Sequence, residues 1–133
     1  MRERTQAWFV HIAYDLDAVN NLAATSPANP IVIFHCQQAI EKAFKAVLDE
    51  LEQSIPRIHD LVKLYSLLPD NLKGNLGDPL PQLEWLSQVY VETRYPGEAM
   101  LGGVDDLSEI ELASTVEFTN GIVREVEDFL NVD

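Results

Sequence analysis

Basic residues are scarce in this chain. Nine lysines and arginines stand against 22 aspartates and glutamates in 133 residues, a formal net charge of −13. That shortage excludes the broad positive surface that displaces counterions from a nucleic-acid backbone. The deficit is also uneven: residues 1–94 carry 8 basic and 12 acidic side chains, and residues 95–133 carry 1 and 10. A small phosphate site stays open, because at contact distance one well-placed cation outweighs a remote field. Solubility and the docking of a basic partner are other uses for such a bias. Cysteine is almost missing. Cys36 alone cannot form an intramolecular disulfide, and an intracellular, cytoplasmic setting is the expectation. No apolar run approaches the length of a bilayer span, so no membrane is expected. The opening MRERTQAWFV has charge but neither the apolar stretch nor the cleavage site of a signal peptide. No segment alternates with a period of two, so no strand is predicted. Gly74, Gly77, Gly97, Gly102 and Gly103 fit neither nucleotide-loop pattern. His11, His35 and His59 lack the paired ligand spacing of a zinc motif, and no metal or cofactor is expected. No nucleophile turn accompanies Cys36.

What the chain does have is helical periodicity. With 47% hydrophobic residues it suits a single domain, residues 1–133, around one core. The organising stretch is Asn29 to Glu52. Ile33, Cys36, Ile40, Ala43, Val47 and Leu51 fall on one face of a helix that Asn29 caps and Pro30 opens. Ala39, Ala43 and Ala46 favour helix and admit a close neighbour. Gln37, Gln38, Glu41, Lys42 and Lys45 read as its polar side. Before it, Thr5 to Ala24 carries Trp8, Ile12, Leu16, Val19 and Ala23 on one face, with Asp15, Asp17, Asn20 and Asn21 away from it. The break at residues 26–30 is short, so these two helices are expected to be antiparallel.

Further on, Leu61, Leu64, Tyr65 and Leu68 mark a short helix, with Asp60 complementing its dipole. Residues 70–81 read as a loop with a turn of helix. From Pro81, Leu83, Leu86 and Tyr90 mark a fourth helix, with Trp85 and Val89 flanking, and Pro96-Gly97 forces an exit. Asp106, with Glu109 as in a capping box, starts a final helix bearing Leu112, Val116, Val123, Val126 and Leu130. The expectation is an all-α, up-and-down bundle of about five helices.

Among side chains with chemistry, Lys42 and Lys45 put two of the nine cations together on one helix. They read either as part of an anion site or as side chains that a plain structural helix carries. His59 precedes a helix start whose N–H groups suit an anion, or else it ties the loop down. Arg94 ends a helix just before Tyr95-Pro96. It reads as a phosphate grip with two donors, or as a contact with the helix end, Glu92 or Glu98.

The order and spacing of these residues resemble the HEPN domains (higher eukaryotes and prokaryotes nucleotide-binding). The resemblance rests on Phe34-His35-Cys36-Gln37-Gln38-Ala39-Ile40-Glu41-Lys42-Ala43 with Lys45, on His59-Asp60-Leu61 and on Arg94-Tyr95-Pro96. An early Ala13-x-Asp15-Leu16 fits too. It implies a helical bundle that commonly forms a homodimer. It also implies a partner, a minimal nucleotidyltransferase in a two-component, toxin–antitoxin-like module, and binding of a nucleotide or phosphate. Arg94 would be the anchor, with Lys42, Lys45 and His59 as further candidates and Gln38, Glu41 and Tyr95 in support. Some members are metal-independent RNases in which a histidine follows the arginine by four to six residues. Here no histidine follows His59 anywhere. RNA cleavage would therefore need a rearranged site, and it stands as the alternative beside a purely structural dimerisation module.

Overall fold

The helix predicted from Asn29 forms, and it becomes the centre of an all-α bundle. The computed structural model describes residues 1–25, 29–94 and 107–131. Among them are six helices and no strand: α1 (Glu3–Thr25), α2 (Asn29–Glu50), α3 (Leu61–Ser66), α4 (Asp70–Asn75), α5 (Leu80–Arg94) and α6 (Glu109–Asn131). Ile33, Cys36, Ile40, Ala43 and Val47 are buried, as their spacing predicts. Leu51 is a correction. The helix stops at Glu50, and Leu51, beyond its end, is 41% exposed. Val32, Ala39, Phe44, Ala46 and Leu48 are fully buried as well, because α1, α3, α5 and α6 all pack on α2. Small side chains at 39, 43 and 46 let those neighbours approach. Each large apolar side chain removed from water here stabilises the fold by about 1.5–3 kcal/mol.

Local chemistry sets where the helices end. Gln53 N–H donates to the Leu48 carbonyl at 2.9 Å and Glu52 N–H to that of Asp49 at 3.0 Å. This pair is a Schellman stop, and it holds Glu52 at φ 56°, a conformation glycine adopts more readily. Asp60 caps α3, its carboxylate accepting from the N–H groups of Val62 at 3.0 Å and Lys63 at 3.2 Å. The turn of helix predicted within residues 70–81 is α4, anchored by fully buried Leu72. Gly77, at φ 74°, then turns the chain into α5. The capping box of α6 also shifts from its predicted place. Ser108 Oγ accepts from Glu111 N–H at 3.1 Å, and the Glu111 carboxylate accepts from Ser108 N–H at 3.2 Å. Ser108 stands directly before the first helical residue, where a hydroxyl reaches the free N–H two or three residues on. Asp106, like the Asn29 and Tyr90 side chains, lies outside the described residues.

In α1, Ile12 and Val19 are fully buried, and Trp8, Leu16 and Ala23 pack against the core more openly. Asp49 and Glu50 place negative charge at the C-terminus of α2, against its dipole. The start of α1 offsets this. Trp8 Nε1–H donates to Asp49 Oδ2 at 2.9 Å, Arg4 Nε lies 3.5 Å from the same oxygen, and Arg2 N–H donates to Glu50 Oε1 at 2.9 Å. Arg2 also reaches the Asp49 carbonyl through its guanidinium. Among the described residues no helix is long and apolar enough to cross a membrane.

Candidate functional site

Three consecutive residues of α2 show how the site is built, since a helix turns about 100° per residue. His35 meets Asp15 of α1, Cys36 meets Thr119 of α6, and Gln37 meets the backbone of His59 ahead of α3. Polar side chains on α2 therefore face protein on several sides. Gln37 is fully buried, Glu41 is 5% exposed and Lys45 is 9% exposed. The side that reads as polar from spacing is thus largely enclosed by neighbouring elements. The pattern of one helix reveals its own faces but not how many neighbours will cover them.

Two buried carboxylates organise these groups. Glu41 Oε1 lies 2.9 Å from His59 Nδ1 and accepts from Gln37 Nε2 at 3.0 Å, while Glu41 Oε2 accepts from Lys45 Nζ at 3.1 Å. Gln37 Nε2 also donates to the His59 carbonyl at 3.0 Å, and Gln38 Nε2 donates to Gln37 Oε1 at 2.7 Å. A carboxylate can only accept, so His59 carries its proton on Nδ1 in this pairing. The His59 side chain is 54% exposed. The second carboxylate is Asp15 of α1, 5% exposed although predicted to lie away from the buried face. Its Oδ1 lies 2.8 Å from His35 Nδ1, and its Oδ2 accepts from Lys42 Nζ at 2.6 Å. Among the described residues no buried side-chain donor or acceptor is left without a partner.

The candidate residues thus fall into three situations. Lys45, His59, Glu41 and Gln38 are brought together in the Glu41 network. Lys42 is drawn to the other carboxylate, toward α1. The Arg94 side chain and the whole of Tyr95 lie outside the described residues; what is described of Arg94 is its backbone place as the last residue of α5. That helix is tied to the start of α3 by Leu61 N–H donating to Ser87 Oγ at 2.8 Å. From Ser87 to Arg94 is about two turns, roughly 10 Å along the axis.

The first N–H groups of α3 are those that suit an anion beside His59. Asp60 accepts from two of them, and the His59 ring turns instead to Glu41. Sequence reasoning missed Asp15 and Gln37 as buried polar partners. The spacing of Gln37, Glu41 and Lys45, each four residues apart, does put them on one face and was the available signal for this cluster. Cys36 is buried, and desolvation pushes its thiol up to about 11 against a weaker opposing hydrogen bond with Thr119, so it is a poor nucleophile. No three His, Cys, Asp or Glu side chains gather into a metal-binding group among the described residues.

Comparison with known proteins agrees with this architecture. The family model described as the HEPN domain matches residues 6–129. The chain is also similar to the crystal structure of TT1696 from Thermus thermophilus, with 21% sequence identity and a TM-score of 0.78 over 96% of this chain and 98% of that one. At that identity the likeness speaks for the fold. No protein of curated function matches the sequence.

Proposed function

The chain belongs to the HEPN family, and from that premise we propose that it works by binding, as the nucleotide- or phosphate-binding half of a two-component module with a minimal nucleotidyltransferase. The observation that carries the ligand half is the junction of α3 and α5. There the Glu41 network holds His59 at the surface, and the Leu61–Ser87 bond joins the helix that follows His59 to the helix that ends in Arg94. Arg94 is the proposed anchor, a planar guanidinium suited to gripping a phosphate with two donors. His59 is the proposed second contact. Lys42 and Lys45 come after them, since each would have to release Asp15 or Glu41 to take an anion. The partner half is supported by the family alone.

Native mass spectrometry of the protein with ATP, GTP and a short RNA, beside Arg94→Ala, tests the ligand half. Retained nucleotide that the substitution removes is the expected result. Absence of any bound species from both proteins would end the ligand reading. Affinity capture from the native cell tests the partner half, which falls if no nucleotidyltransferase is ever recovered.

A second reading, RNA cleavage by a rearranged site, is favoured by the Glu41–His59 pair, a carboxylate orienting an imidazole. It requires RNA to be shortened, and the activity to vanish in both His59→Ala and Arg94→Ala.

A further inference from the structure

The start of α1 and the end of α2 border an open cleft of about 290 Å³, lined by Arg4, Ala7, Trp8, His11 and Asp49. It lies away from the Glu41 network, since Asp49 follows Glu41 by more than two helical turns, roughly 12 Å. That volume is small for a ligand cleft and suits a compact metabolite. Its wall is built locally. Residues 4, 7, 8 and 11 recur on α1 at three- and four-residue spacing, so they share one side of the helix. Arg4 stands at one end. His11, its ring edge-on to Tyr14 at 5.8 Å between centroids, stands at the other. Between them Ala7 is small and leaves the space that Trp8 borders.

Two charges of opposite sign meet in this cleft, and neither is fully used. The Asp49 side chain is 6% exposed, and its Oδ2 accepts from Trp8 Nε1–H at 2.9 Å and faces Arg4 Nε at 3.5 Å. Its Oδ1 accepts no hydrogen bond among the described residues, and Arg2 Nη1 lies 3.9 Å from it. No fully enclosed side-chain acceptor among those residues lacks a partner, so this oxygen is reached by solvent. A carboxylate at that depth gains from a further donor. Arg4 is 71% exposed, and its approach to Asp49 is its one ion pair among the described residues. Its outer guanidinium nitrogens therefore have donors to offer. A ligand of a single charge would meet its like in so small a space, whereas one that carries both meets each with its opposite.

We propose that the cleft binds a free α-amino acid with a large apolar side chain. The ammonium group donates to Asp49 Oδ1, and the carboxylate takes the outer nitrogens of Arg4. The apolar side chain lies over Ala7 and against the Trp8 ring, which the bond to Asp49 holds in place. Asp49 thus orients the aromatic wall with one oxygen and receives the ligand with the other. The site is independent of whether a nucleotide binds elsewhere on the chain.

Isothermal titration calorimetry of the full chain with L-phenylalanine and L-leucine tests the proposal, and binding of at least one is expected. The matched amines, phenethylamine and isopentylamine, lack the carboxylate. The matched acids, hydrocinnamate and isocaproate, lack the ammonium. Each should bind at least about tenfold more weakly than the amino acid it imitates. Arg4→Gln should weaken binding by a similar factor. Ala7→Leu, which fills the cleft and leaves both charges in place, should abolish it. Helical circular dichroism should be unchanged in both variants, because both positions are exposed. Failure of both amino acids to bind overturns the proposal. So does an amine or acid that binds as tightly as its amino acid, or an affinity that Ala7→Leu leaves intact.

Discussion

Asp15 and Glu41 each hold one histidine through Nδ1 and one lysine through Nζ, yet they do so from different places. Asp15 stands on α1, and both of its partners stand on α2, so its bonds clamp two long helices together. Glu41 stands on α2 itself. Lys45 and Gln37 are its own-helix neighbours, and among the described residues only His59 reaches it from elsewhere. Exposure differs too. The Lys42 side chain is 26% exposed and that of Lys45 is 11% exposed. A lysine at the edge can turn to water if its partner is lost, whereas an enclosed one is stranded. The two sites share a composition, but the burial of the lysine decides how much each carboxylate matters.

The sharpest way to break this comparison is Glu41→Ala. It leaves Lys45 buried without its acceptor, takes one of two acceptors from Gln37, and should lower stability by about 3–5 kcal/mol, read as a fall in the urea midpoint. Asp15→Ala should lower it by about 2 kcal/mol, because Lys42 regains hydration. If the second loss equals or exceeds the first, exposure is not the deciding variable.

Cys36, on the turn of α2 between the two sites, gives a pH test. Its thiol, raised from 9.0 to about 11 by burial, favours the protonated form in the folded state. Its contribution is therefore complete below pH 9 and declines as the pH rises from 9 toward 11, by about 2.7 kcal/mol in all. Cys36→Ala should lack that part of the alkaline slope, measured by denaturation at each pH. The smallest effects belong to the histidines. His35→Ala is expected to lose about 1 kcal/mol, and the more exposed His59→Ala about 0.5 kcal/mol, by the same midpoint measurement.

How far the sequence could be read depended on the range of the interaction. The burial of Ile33, Cys36, Ile40, Ala43 and Val47 was legible, because a residue's face within its own helix follows from spacing alone. The start of α2 and the acidic cap of α3 were legible from local chemistry. Asp15 was not, because only the approach of His35 and Lys42 from another helix makes a carboxylate tolerable at that depth. The same holds for Gln37, whose amide is matched by Glu41 and a loop carbonyl. In α4 a turn of helix was legible, and buried Leu72 holds it in place despite Gly74 and the neighbouring asparagines. The candidate site was legible as a set of residue types, and Lys45, His59 and Glu41 do meet. That Lys42 sides with Asp15 is a fact of packing that spacing does not carry.

The central position of α2 also fixes how the protein exchanges protons with its solvent over time. Backbone amides between Ala39 and Leu48 sit in a helix whose side chains are enclosed almost all round, so fraying at its ends does not uncover them. Deuterium should enter there only when the whole fold opens. The slowest-exchanging amides of this chain would then form one contiguous segment, and their rate would report global stability without any denaturant.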